Sequence, residues 1–138
     1  MSDQISWHVQ LAVKPGQLDN FRALTTEMVE STRQVTGVLN YERFVSADGN
    51  FVHVYERYTD SATAVAHLQR FTKNFSGRFM TMVERTHFIV FGNPSDELRE
   101  LLDQFGATYL TPFGAILNSA RRPQWSLRAK GDLLATCA

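Results

Sequence analysis

Residues 51–79, FVHVYERYTDSATAVAHLQRFTKNFSGRF, decide how this chain folds. Phe51 to Tyr58 is aromatic and β-branched, the composition of a half-buried strand. Tyr58-Thr59-Asp60 makes a tight turn, and the Asp60 carboxylate can accept from the free N–H groups at a helix start. Val65, Leu68, Phe71, Thr72, Phe75 and Phe79 then recur at helical spacing and draw one apolar stripe. Gly77 is expected to kink or end this helix, which carries His67.

Working outward, Asp48-Gly49 is a strong turn signal between Val38–Ser46 and Asn50–Tyr58, so the two runs form a hairpin. Before them, Ile5 to Val13 alternates, with Trp7, Val9, Leu11 and Val13 on one face and Ser6, His8, Gln10 and Ala12 on the other. Lys14-Pro15-Gly16 ends that strand. A helix beginning near Gln17 carries Leu18, Phe21, Leu24, Met28, Thr32 and Val35 on one stripe and Asp19 in its first turn, and Gly37 is expected to stop it. Downstream, Glu84–Phe91 reads as a strand closed by Gly92-Asn93-Pro94. Ser95 caps a short helix bearing Leu98, Leu101, Leu102 and Phe105, with Gly106 as its stop. Ala107–Leu117 looks extended, and Pro112, which cannot donate to a ladder, places it at an edge or across another chain.

The order β-α-β-β-α-β is the ferredoxin-like split βαβ plan of the α+β class, one antiparallel sheet with helices on one side, followed by a helix-plus-strand extension. We read residues 1–118 as a single domain, the extension being 92–118, and 119–138 as a basic, flexible tail. A sheet covered on one side should be polar on the other in a monomer. Here Phe51 and Tyr55 oppose Val52, Val54 and Tyr58, and Phe88 and Val90 oppose Ile89 and Phe91. Both faces are apolar, so a symmetric dimer is expected.

Composition bounds the function. The 43% hydrophobic and 20% charged residues are those of a globular domain. Lys and Arg number 14 against 14 Asp and Glu, which leaves no field to draw the protein to nucleic acid or an anionic membrane. The start, MSDQISWHVQ, lacks a signal peptide's pattern and no apolar run approaches the roughly 18 residues of a spanning helix, so a cytoplasmic protein is expected. Cys137 is the only cysteine, which excludes an intrachain disulfide. There is no glycine-rich phosphate loop, no Gly-x-Ser-x-Gly elbow, no His-Glu-x-x-His and no glycine-aromatic ribonucleoprotein motif.

Several short motifs in register, Val13-Lys14-Pro15-Gly16 with Phe21, Gly37 with Tyr41, and Tyr55-Glu56-Arg57-Tyr58-Thr59-Asp60 followed by His67-Leu68, are similar to those of the antibiotic biosynthesis monooxygenase family, which includes the quinol monooxygenases. The resemblance spans roughly residues 5 to 91. It implies a homodimeric α+β barrel with a pocket between each sheet and its helices. It also implies oxygenation of a small aromatic, phenolic or quinol substrate by molecular oxygen, with no metal, flavin or other cofactor. The alternative is a non-catalytic dimeric barrel that binds a small apolar ligand. Family members acting on polycyclic phenols resemble one another in a pocket tryptophan; here the helix from Ser61 to Phe79 has none, and Trp7 lies on the first strand.

His67 stands where the resemblance implies a catalytic residue. A histidine facing a pocket can take a phenolic proton, because its unperturbed pKa lies near neutrality, and a phenolate loses an electron to oxygen far more readily than a phenol. Alternatively it caps the edge of the core. Tyr41, Tyr55, Phe71, Phe75 and Phe79 are the candidate substrate-binding residues, as aromatic walls and hydroxyl donors. Glu56 either pairs with Arg43 or Arg85 across strands or lines the barrel. His8, His53 and His87 fall on neighbouring strands; we expect separate hydrogen-bonded histidines and no metal.

Overall fold

The computed structural model of the chain describes residues 3–116. The elements are β1 (Ile5–Val13), α1 (Leu18–Thr32), β2 (Val38–Val45), β3 (Phe51–Tyr58), α2 (Ser61–Asn74), α3 (Ser76–Met82), β4 (Val83–Phe91), α4 (Asp96–Asp103) and β5 (Thr108–Leu110). They form a sheet in the order β2-β3-β1-β4-β5. β1, β2, β3 and β4 pair antiparallel, as the split βαβ plan requires, while β5 joins β4 in parallel and makes the sheet mixed. The proposed tail at 119–138 lies outside the described residues.

Alternation sorts the strands as expected. Ile5, Trp7, Val9 and Leu11 of β1 and Val52, Val54, Glu56 and Tyr58 of β3 are buried against the helices, while their neighbours face the other way. Phe21, Leu24 and Met28 of α1 and Ala64, Val65, Leu68 and Phe71 of α2 close the core from above. Leu98 and Leu102 of α4 complete it beside α2. The Asp60 side chain accepts from the Thr63 N–H at 2.9 Å, and Ser95 Oγ does the same for Leu98 at 3.2 Å, so both expected caps form.

Local corrections follow from packing. The helix breaks at Phe75, whose φ of −127° leaves the helical region, whereas Gly77 sits inside α3. On a straight helix Phe71 and Phe79 would point about 80° apart. The break brings them edge to face, with centroids 5.0 Å apart at 89°. α1 ends at Thr32, before Gly37; that glycine's φ of 101° serves the turn into β2. Of the extended segment 107–117, Thr108–Leu110 is strand, and Pro112 lies beyond the ladder in an exposed run where Phe113 is 104% accessible.

β4 contains a bulge. Gln10 pairs with His87 but Leu11 pairs with Arg85, so Thr86 is the extra residue. Its hydroxyl donates to the Gln10 carbonyl at 3.1 Å. Phe88 and Val90 above the bulge and Arg85 and Val83 below it therefore share the helix side of the sheet.

Gly92 is held against backbone. Its φ is +118°, and a Cβ there would stand 2.9 Å from the Gln4 carbonyl oxygen, a backbone atom that cannot step aside. Gly92→Ala is expected to cost about 1–3 kcal/mol, read as a lowered urea midpoint with an unchanged slope. A midpoint equal to the wild type would show that this turn relaxes freely.

Candidate active site

Glu56 has the inward parity of β3 and is 5% exposed. Trp7 is its register partner on β1, and the indole Nε1–H donates to Glu56 Oε1 at 2.9 Å. The Tyr58 hydroxyl donates to the same oxygen at 2.6 Å, and Arg43 Nη2 donates to Oε2 at 2.8 Å. His67 Nε2, coming from α2, lies 3.6 Å from Oε1. Burial alone would raise the Glu56 pKa; the Arg43 guanidinium, His67 and the hydrogen bonds from Tyr58 and Arg43 outweigh it and hold the carboxyl below its usual range. The group is an ionised carboxylate with both oxygens hydrogen-bonded. Tyr58, buried beside that charge, has its pKa pushed well up and remains a donor.

His67 is buried on the inner side of α2, with its ring 5.4 Å from Tyr41 and 5.3 Å from Tyr58. Burial lowers its pKa; Glu56 opposes that, and the charges of Arg70 and Arg43 reinforce it, so the net direction is down from the ordinary 6.5. The ring is therefore neutral at pH 7. Its Nδ1 is buried and has no hydrogen-bond partner. A neutral imidazole with one unoccupied nitrogen beside a fixed carboxylate is a proton acceptor whose product, the imidazolium, has a counter-ion in place.

These groups open into a narrow cleft between the sheet and the helices. Trp7, Arg43, Glu56 and His67 line it, with Phe71, Phe79, Phe88 and Phe105 as aromatic walls and Arg85 as a second cation. The arrangement suits a flat, mostly apolar molecule with a weakly acidic hydroxyl.

Of the expected site residues, His67, Phe71 and Phe79 meet in this cleft. Tyr41 lies behind His67, with the Arg43 guanidinium 3.8 Å over its ring, and supports the site without lining it. Phe75 is half-buried at the helix break, under the Arg78 guanidinium at 5.8 Å, away from the cleft. Tyr55 has the outward parity of β3 and faces the opposite side of the sheet. Of the two cross-strand partners considered for Glu56, Arg43 is the one found. Sequence reasoning missed the convergence on that carboxylate, although inward parity was available for Trp7, Glu56 and Tyr58 alike.

His8, His53 and His87 share the outward face. His8 Nε2 and His53 Nδ1 are 2.8 Å apart, and His87 Nδ1 is 2.8 Å from Gln10 Oε1. Burial and the nearness of His53 and His87 lower the His8 pKa. Among the described residues no group of three or more His, Cys, Asp or Glu is placed to hold a metal ion.

The family model for antibiotic biosynthesis monooxygenases matches residues 5–72, a segment that contains Trp7, Arg43, Glu56, Tyr58 and His67. No curated protein matches the chain. Among solved structures it is similar to MupZ from Pseudomonas fluorescens, with a TM-score of 0.74 and 20% identity over 86% of this chain and 98% of that one. It is also similar to Rv0793 from Mycobacterium tuberculosis, with a TM-score of 0.58 and 21% identity over 67% of this chain and 97% of that one. Protein SO0527 from Shewanella oneidensis gives 0.53 and 25% over 65% and 88%. These likenesses are of fold. No helix among the described residues is long and apolar enough to cross a membrane. With the motifs, the sheet order and the match over residues 5–72 in agreement, the chain belongs to the antibiotic biosynthesis monooxygenase family.

Proposed function

We propose that the protein is a cofactor-independent monooxygenase of a small phenolic or quinol substrate, with His67 as the base. The observation that carries this reading is the neutral, buried His67, with an unpartnered Nδ1 and the Glu56 carboxylate 3.6 Å from Nε2, in an aromatic cleft. His67 takes the phenolic proton, Glu56 stabilises the resulting imidazolium, and the phenolate passes electrons to molecular oxygen. A phenol then loses its O–H proton and a ring C–H, one oxygen atom enters as the quinone carbonyl, and the other leaves as water; four electrons pass from ring to oxygen. Oxygen uptake with a panel of hydroquinones and naphthols, on metal-free protein, tests the proposal. No uptake with any of them, while calorimetry detects their binding, would identify a non-catalytic binder instead.

The pH dependence has a fixed sign. A base is active when unprotonated, and His67 holds its pKa below 6.5, so kcat/KM should rise with pH through an inflection below that value and stay level above it. A pH–rate profile with its acid limb at or above 6.5 would contradict the assignment.

The working form is a homodimer in which a second copy covers the outward sheet face. Phe44 is 56% and Leu110 52% exposed on that face, beside Tyr55, Ile89 and Phe91. Sedimentation at micromolar concentration should give twice the 15.7 kDa chain mass, and a species of single mass would remove the dimer from the proposal.

A further inference from the structure

The cleft holds two guanidinium groups and one carboxylate. Arg43 is matched by Glu56 at 2.8 Å. Arg85 is matched by nothing of opposite charge: among the described residues no ion pair reaches it. Its guanidinium carbon stands 4.4 Å from the centroid of the Phe105 ring, 5.4 Å from Phe79 and 5.8 Å from Phe71, and Nη1 reaches only the Met80 sulfur at 3.6 Å. Burial among these groups lowers its pKa, though an arginine stays charged. Ring faces and a thioether replace little of the hydration that a cation gives up, and a partly desolvated charge ordinarily has a counter-ion. The Thr86 bulge places it there: regular pairing would have turned Arg85 to the outward face with His87 and Ile89.

We propose that the substrate is an aromatic carboxylate, its ring in the aromatic cleft and its carboxylate on the Arg85 guanidinium. The inference rests on the cleft being the substrate site, as proposed above. Arg85 supplies the anion subsite, while the Glu56–His67 pair acts on the hydroxyl of the same molecule. A guanidinium presents parallel N–H donors that match both oxygens of a carboxylate, and a half-buried site screens them less than water does. Phe105 follows α4, so the C-terminal extension contributes a wall of the subsite.

The test compares matched probes by calorimetry on the full chain: 6-hydroxy-2-naphthoate against 2-naphthol, and 4-hydroxybenzoate against phenol. The carboxylates should bind at least about tenfold more tightly than their neutral counterparts, which corresponds to ~1.4 kcal/mol, and the advantage should shrink with added salt. In Arg85→Met the advantage of each carboxylate over its neutral counterpart should vanish; Arg85→Lys should restore part of it. Because the wild-type comparison needs no variant, a folding defect in Arg85→Met leaves the test intact. Equal affinities within each pair, absence of binding by all four probes, or a preference that survives in a folded Arg85→Met overturns the inference. Oxygen uptake separates the two proposals: uptake with naphthols but no carboxylate preference sinks only the subsite, and carboxylate preference without uptake sinks only the oxygenase.

Discussion

Glu56→Ala is expected to destabilise the folded protein by about 3–5 kcal/mol, the cost of removing one member of a buried ion pair and leaving the other charge uncompensated. Arg43, whose side chain is 10% exposed, would keep its charge without the carboxylate 2.8 Å away. Trp7 Nε1–H and the Tyr58 hydroxyl would lose their acceptor in the same step. Glu56→Gln should cost less, since the amide oxygen can still accept from Trp7 and Tyr58 while the amide nitrogen cannot accept from Arg43. Replacing both charges, as in Glu56→Leu with Arg43→Met, should recover much of the loss. Urea unfolding measures all three, and a loss under about 1 kcal/mol for Glu56→Ala would show that the carboxylate does not hold this network together.

Acid should act in the same direction. Glu56 has a folded pKa below its ordinary 4.5, so the stability it supplies is complete above that value and is lost as pH falls through the lowered one. His67 also has its folded pKa depressed, from 6.5, so the folded state resists its protonation and the loss begins there, at higher pH. Stability should therefore fall in two stages on acidification, and the first should disappear in His67→Gln.

His67→Gln is expected to lower kcat/KM for oxygen uptake by about 10²–10⁴, the usual contribution of a positioned general base. Binding of an unreactive ligand should change little, because the aromatic walls are untouched. The acid limb of the pH profile should vanish with the side chain. Activity within about threefold of the wild type would remove His67 from the reaction and leave it as the edge of the core.

Period and turn chemistry carry most of the fold. Alternation in Ile5–Val13 and Phe51–Tyr58 marks the inward faces correctly because a pleated strand has no other way to hide one set of side chains. Asp48-Gly49, Asp60 and Ser95 mark their turn and caps because the backbone needs at those points are local. The Phe75 break is not local: it is set by Phe21, Phe71 and Phe79 reaching each other across α1, α2 and α3. The site divides likewise. His67, Phe71 and Phe79 share one helical stripe or its edge and are found in the cleft, while Tyr55 lies on the far face because a strand offers aromatic residues to both sides. Convergence of β1, β2, β3 and α2 on Glu56 depends on strand order and register, to which single residues give no direct signal. The tryptophan that lines the cleft, Trp7, comes from β1 and not from α2.

The bulge at Thr86 makes the charge of the cleft a matter of strand register as much as residue type. Were Thr86 to take its place in the ladder opposite Leu11, pairing with β1 would run even and Arg85 would fall on the outward parity, out of the cleft. A shift of that kind changes what the cleft attracts without altering any residue that lines it above the bulge. Relatives built on the same sheet would then differ in ligand charge by the register of one strand, a step that comparing substitutions position by position would overlook.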